Sequence, residues 1–193
     1  MQEKEIVFAT HNTNKLKEIQ QMMPEHIQLR SLTDIGCNDE IIENASTIEG
    51  NAKIKADFVF NNYGLACFAD DTGLLVDELN GAPGVMTARY AGEAKSAADN
   101  MNKLLIELAK KENRKAHFKT VIHFRSATTS QAFTGICKGE ILTAKKGEKG
   151  FGYDPIFQPK NHLLSFAEMD AKTKNKISHR ALAFKQFLDY LNA

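Results

Sequence analysis

Apolar residues along the chain recur at two different spacings, and the changes between them mark out strands and helices in alternation. Residues Glu5 to Ala9 form a short apolar run, after which Leu16, Ile19, Met22 and Met23 fall on one helical face before Pro24. This predicts a strand, a loop and a helix. Gln28 to Leu32 reads as a second strand, followed by an acidic, irregular stretch from Asp34 to Asn44. Ile48, Ala52, Ala56 and Val59 define the next helical face, with Gly64 as its stop. Leu65 to Ala69 then predicts a buried strand that ends at the carboxylates Asp70 and Asp71. Leu74 to Leu79 reads as a separate short extended piece, because Asn80-Gly81 and Pro83-Gly84 mark turns.

Ser96 is placed to cap a helix whose Met101, Leu104, Leu105 and Leu108 follow the i, i+3, i+4, i+7 pattern. Phe118, Thr120, Ile122 and Phe124 alternate with His117, Lys119, Val121 and His123, which predicts a strand with one buried face and both histidines exposed. Gln131 to Lys138 is its partner strand, with Ser126 to Ser130 as the hairpin turn. Ser178 is expected to cap a terminal helix with a stripe of Phe184, Phe187, Leu188 and Leu191. The sum is a mixed α/β fold.

Length adds one constraint: 193 residues suit one domain, or one domain of two lobes. A net charge of +1 gives no bulk attraction for nucleic acid or an anionic membrane, so any anion site must be local. The opening MQEKEIVFAT has the character of neither a signal nor a transit peptide, and the default expectation is cytoplasmic. Cys37, Cys67 and Cys137 are odd in number and lack metal-type spacing, so they read as reduced, partly buried thiols.

Three stretches concentrate polar chemistry. Thr10, His11, Asn12, Thr13 and Asn14 precede a helix that carries Lys15 and Lys17 in its first turns, where positive charge opposes the helix dipole unless an anion is bound. The alternative there is simple capping by Thr13 or Asn14. Asp70, Asp71, Thr72 and Gly73 suit a Mg²⁺ ion or an activated water, or else a capped turn. Lys174, Lys176, His179 and Arg180 cluster at the start of the terminal helix, again against its dipole. A Gly-rich segment from Lys145 to Pro155 adds Phe151 and Tyr153, and an aromatic beside glycines can stack on a base. A ligand with phosphates, a metal and a flat ring fits this set, and a nucleoside triphosphate is such a ligand.

Five motifs then fall in register: Thr10-x-Asn12-x-x-Lys15-x-x-Glu18; Asn51-Ala52-x-x-Lys55-Ala56; Ala69 to Leu74 continuing through Gly81 to Val85 and Ala88 to Gly92; Gly150 to Pro155; and Ile177 to Arg180. With them the chain resembles the inosine/xanthosine triphosphate pyrophosphatase family, the Ham1-like house-cleaning hydrolases. The resemblance implies an elongated mixed sheet flanked by helices, with two lobes and a central nucleotide-binding cleft, in a homodimer with no nucleic-acid or membrane partner. It also implies Mg²⁺-dependent hydrolysis of ITP, dITP and XTP to the nucleoside monophosphate and pyrophosphate.

Carried over by residue, it places Thr10, His11, Asn12, Thr13, Asn14, Lys15 and Lys55 on the phosphates and Thr72 against the nucleotide. Glu43 and Asp71 fall on the metal, and Asp71 also acts as base or water-orienting acid, with Asp70 as its neighbour. Phe151 stacks on the purine, and Gly152, Tyr153, Asp154, Lys174, His179 and Arg180 belong to the base side. The chain departs from the family pattern at Glu43-Asn44-Ala45, commonly Glu-Thr-Gly, and at Gly50-Asn51-Ala52, commonly Glu-Asn-Ala; Glu40 is then a fallback ligand. Two other readings remain: a Maf-like pyrophosphatase for other modified nucleotides, which the base-edge motifs oppose, and a nucleotide-binding regulatory module, which has no use for a metal-held water.

Overall fold

The computed structural model describes residues 4–193. Among the described residues seven strands and five α-helices follow one another in this order: β1 (Lys4–Phe8), α1 (Thr13–Gln20), β2 (Ile27–Ser31), α2 (Ile48–Tyr63), β3 (Cys67–Val76), β4 (Pro83–Gly84), α3 (Ala97–Glu107), β5 (Lys115–Arg125), β6 (Ser130–Ile141), β7 (Phe157–Pro159), α4 (Ala171–Ile177) and α5 (His179–Leu191). The fold is α/β with a mixed sheet in the order β2-β1-β3-β5-β6-β7, and β4 pairs with β3. β1 runs parallel to β2 and β3, whereas β3–β4 and β6–β7 are antiparallel.

By packing, the chain divides into two compact units. The first takes the chain through Asp71 with Thr120–Gly135 and Arg180–Ala193; the second takes Thr72–Lys119 and Ile136–His179. In the first unit, Phe8 stacks on Phe68 at 4.6 Å, and Phe184 and Phe187 of α5 pack on the same ring. α2 closes a second core there, through Ala56 and Val59 against Val7, Ala9, Cys67 and Ala69. In the second unit, Leu104 and Leu108 join Leu74, Val76, Phe118, Phe157 and Phe166. All three cysteines are buried thiols. Among the described residues no helix is long and apolar enough to cross a membrane.

Three expectations need correction. β3 does not stop at Asp70: it continues through both carboxylates to Val76, because nearby cations offset the buried charge and Leu74 and Val76 return it to a core. His123 is not exposed. It is buried on the half of β5 covered on both faces, with Nε2 2.9 Å from Ser130 Oγ, while His117 is half-buried. Ser178 stands immediately before α5, as expected, but it also ends α4, a helix capped by Asp170 that the apolar pattern does not reveal. Lys174 and Lys176 therefore sit in the last turn of α4, where positive charge is favourable to the dipole, and not at the start of the terminal helix.

Candidate active site

The loop from β1 to α1 folds on its own polar side chains. Asn12, rather than Thr13 or Asn14, is the cap: its Oδ1 accepts from Asn14 N at 3.0 Å and Lys15 N at 3.2 Å. Thr10 Oγ1 accepts from Asn12 N at 3.1 Å, and His11 Nε2 lies 2.9 Å from the Asp39 carbonyl, tying this loop to the acidic one. The first turn of α1 contains no acidic residue, so its positive end is available to an anion.

Behind that loop the charges on β3 divide into two groups. Asp70 is fully buried, with Lys15 Nζ 2.9 Å from Oδ1 and Arg180 Nε 3.0 Å from Oδ2. Arg180 Nη1 continues to Glu18 Oε2 at 2.5 Å. Burial by itself would push the Asp70 carboxyl up, but Lys15 and then Arg180 outweigh it and hold the group well below the usual carboxylate range. Burial pulls the Lys15 ammonium below its ordinary value, and Asp70 opposes that fall only in part. The second group is looser. Lys55 Nζ, carried on α2, lies 2.8 Å from Glu43 Oε2 and 3.9 Å from Asp71 Oδ1. Burial raises the Asp71 carboxyl above its ordinary value despite Lys55.

In the second unit, the Gly-rich loop is organised by Asp154. Its Oδ2 accepts from Phe151 N at 2.8 Å and lies 2.8 Å from Lys174 Nζ, an ion pair that is buried. Lys174 Nζ also stands 5.3 Å from the centre of the Phe151 ring. Gly150 has φ of +75°, and a Cβ there would meet Asp154 Oδ2 at 2.1 Å, so the turn requires glycine. His179 stacks on Phe118 at 4.4 Å and is buried. Tyr153 Oη donates to the Thr87 carbonyl at 2.9 Å, while Thr87 Oγ1 accepts from Leu74 N at 2.8 Å.

The structure thus brings together Glu43, Lys55 and Asp71, and separately Lys15, Asp70 and Arg180, all in the first unit. It brings together Phe151, Asp154 and Lys174 in the second, with Gly152 in their loop at φ +63° and Thr72 half-buried on β3. Arg180, expected on the base edge, is only 2% exposed and has its guanidinium on Asp70 and Glu18. Glu18 and Thr87 are partners to which the sequence pattern assigns no role. Glu18 had a signal, being three positions after Lys15 and so on its helical face. Thr87 had none beyond its place among turns.

The Ham1 family profile matches residues 6–190. The chain belongs to the Ham1 family. Among family relatives, the dITP/XTP pyrophosphatase of Christiangramia forsetii is 56% identical over 187 residues, covering 97% of this chain and 98% of the relative. That of Porphyromonas gingivalis is 49% identical over 187 residues, covering 96% of each. The solved Ham1 protein of Staphylococcus aureus superposes with a TM-score of 0.90 at 36% identity, covering 98% of both chains.

Within the Ham1 pattern, the two local departures of this chain fit one another. A Cβ on Gly50 would come 2.6 Å from the Ala45 Cβ, so the methyl gained at position 45 occupies the space a side chain at position 50 would need. Ala45 N donates to Asn51 Oδ1 at 2.9 Å, which fixes the loop, and Glu43 keeps its position on Lys55. Glu40 is exposed on the same loop. Among the described residues no group of three or more His, Cys, Asp or Glu is placed to hold a metal ion. Two carboxylates around one ammonium nevertheless form a hard, cation-favouring oxygen set, which suits Mg²⁺ because that ion keeps several waters and takes further oxygens from phosphates.

Proposed function

We infer that the protein hydrolyses dITP, ITP and XTP to the nucleoside monophosphate and pyrophosphate, clearing deaminated purine nucleotides from the pool. The observation that carries the reading is the convergence of Glu43 and Asp71 on Lys55 beside the Lys15–Asp70 pair. Regulatory binding alone would require cations for phosphate, but not a partly buried carboxylate with raised proton affinity next to them.

In this reading Thr10 to Lys15 and Lys55 hold the phosphates. His11 acts by fixing the acidic loop through its contact with Asp39. Asp71 takes the proton of a water that bonds to the α phosphorus as the bond to the bridging oxygen breaks. A carboxyl raised by burial is a stronger base than an exposed one, which favours that transfer. Glu43 and Asp71 would hold Mg²⁺, which when bound supplies charge neutralisation for the phosphates. Asp70 holds Lys15 in place and stays ionised.

For the base, Phe151 is the stacking ring, with Lys174 and Asp154 fixing its loop, and His179, held on Phe118, supports the same side. Tyr153 anchors that loop through Thr87, and Thr72 follows Asp71 on the same strand. Arg180 is assigned to positioning Asp70 and Glu18. A cytoplasmic homodimer, working as a single pyrophosphatase domain, completes the reading on the family resemblance.

Pyrophosphate release from ITP, XTP, dITP, ATP and GTP in the presence of Mg²⁺ tests the substrate class. The deaminated nucleotides should exceed ATP and GTP in kcat/KM by about tenfold or more, since a site matched to their edge groups leaves unpaired polar atoms against the others. Equal efficiencies would remove the substrate assignment, and release of orthophosphate alone would remove the reaction.

A further inference from the structure

Lys55 stands where its charge does two jobs that conflict. Its Nζ is 2.8 Å from Glu43 Oε2 and 3.9 Å from Asp71 Oδ1, on a side chain only 8% exposed. The two carboxylates assigned to the metal are therefore already served by a cation that belongs to the protein. Lys55 is also assigned to the substrate phosphates, so a triphosphate competes with the two carboxylates for the charge of one ammonium.

Local charge makes the conflict consequential. Asp71 faces Lys55, Lys15, Glu43 and Asp70, and Lys15 and Arg180 are already engaged by Asp70. Removing Lys55 from the Glu43–Asp71 pair leaves two carboxylates without their near cation in a partly buried place, which is unfavourable unless another cation arrives. A divalent ion brought next to an ammonium is equally unfavourable. Each exchange is easy only if it happens together with the other.

We infer that Lys55 is an exchangeable internal counterion: it occupies the Glu43–Asp71 pair until a polyphosphate draws it away, so that the divalent cation and the triphosphate enter as a coupled pair. The inference rests on the reading of Glu43 and Asp71 as metal ligands. Its consequence is that the divalent cation binds weakly by itself and that the open pair is protected, by its own lysine, from adventitious cations. Coupling of this kind is reciprocal, so the cation must raise affinity for the triphosphate as much as the triphosphate raises affinity for the cation.

The test is Mn²⁺ binding followed by electron paramagnetic resonance, without nucleotide, in the unaltered protein and in Lys55→Met and Lys55→Arg. Lys55→Met keeps the apolar stem and removes the charge, so Mn²⁺ should bind about tenfold tighter or more than in the unaltered protein. Lys55→Arg keeps a cation in place and should show no such gain. Unchanged or weaker Mn²⁺ binding in a folded Lys55→Met overturns the exchange. If Mn²⁺ binding to the unaltered protein or to Lys55→Met also survives Glu43→Gln and Asp71→Asn undiminished, the metal-ligand reading itself fails, and the two failures are thereby told apart.

A second measurement needs no variant to fold. The ¹³Cε resonance of Lys55 in the unaltered protein should shift when Mg²⁺ alone reaches saturation. Mg²⁺ saturation that leaves this resonance in place overturns the exchange.

Discussion

Arg180 Nε lies 3.0 Å from Asp70 Oδ2, a contact between residues 110 positions apart, and the same guanidinium reaches Glu18 on α1. One side chain thereby fastens the start of α5 to β3 and to the helix behind the phosphate loop. Arg180→Ala would strip a buried carboxylate of one of its cations, which should cost about 3 to 5 kcal/mol. Urea unfolding measures it. Arg180→Lys should recover only part of the loss, because an ammonium lacks the fork that spans two acids. A stability unchanged in Arg180→Ala would mean that the contact holds nothing together.

Asp70 also makes stability depend on acid. Its folded-state value lies below the ordinary 3.8, so its contribution is complete above the unfolded value and is lost as pH falls towards the folded one. Unfolding free energy should therefore fall on acidification below about pH 4. Asp70→Asn, less stable at neutral pH because Lys15 loses its carboxylate and Arg180 one of its two, should show a shallower decline over that range. Parallel curves for the two proteins would assign the acid sensitivity to other carboxylates.

Ala45 and Gly50 give a prediction whose sign depends on background. Gly50→Ala alone forces a methyl into the 2.6 Å approach to Ala45 and should destabilise the protein, disturbing the Glu43 loop. In Ala45→Gly the Ala45 clash is gone, the remaining Thr47 Oγ1 contact at 3.0 Å is one a hydroxyl can relieve by a small shift, and Gly50→Ala should then stabilise by about 0.4 to 1 kcal/mol, as alanine does in a helix. Thermal melts of the four proteins form the cycle. Equal effects in both backgrounds would show the two positions to be independent.

Asp71→Asn keeps the shape of the side chain but removes its proton affinity. Turnover should fall on the order of 10²-fold or more, the usual scale for a positioned base, with nucleotide affinity measured without divalent cation little changed. Rapid quench and equilibrium binding separate the two quantities. A large loss of affinity at near-normal turnover would place Asp71 in binding rather than in chemistry.

The sequence shows the elements whose burial is one-sided or whose ends are marked. α2 is read from Ile48, Ala52, Ala56 and Val59 and from Gly64, which adopts φ +66° after it, and α3 from Ser96, whose hydroxyl caps it. It misreads β3, because a pair of acids looks like the end of a strand when the cations that permit their burial, Lys15, Lys55 and Arg180, come from three distant helices. α4 is hidden for a different reason: its seven residues carry too few apolar side chains to show a period. Motif residues on the phosphate side are legible as types, yet the assignment of Arg180 to Asp70 and Glu18 exists only in three dimensions, where long-range pairing decides which charge a guanidinium meets.

The phosphorus that water attacks is the most direct test of the chemistry assigned to Asp71. Hydrolysis of dITP by the unaltered protein in ¹⁸O-enriched water, with products separated and weighed by mass spectrometry, reports the phosphorus that receives the oxygen. The prediction is dIMP carrying one ¹⁸O and pyrophosphate carrying none, because the water held by Asp71 bonds to the α phosphorus. Label in the pyrophosphate, or dIDP with labelled orthophosphate, would contradict it.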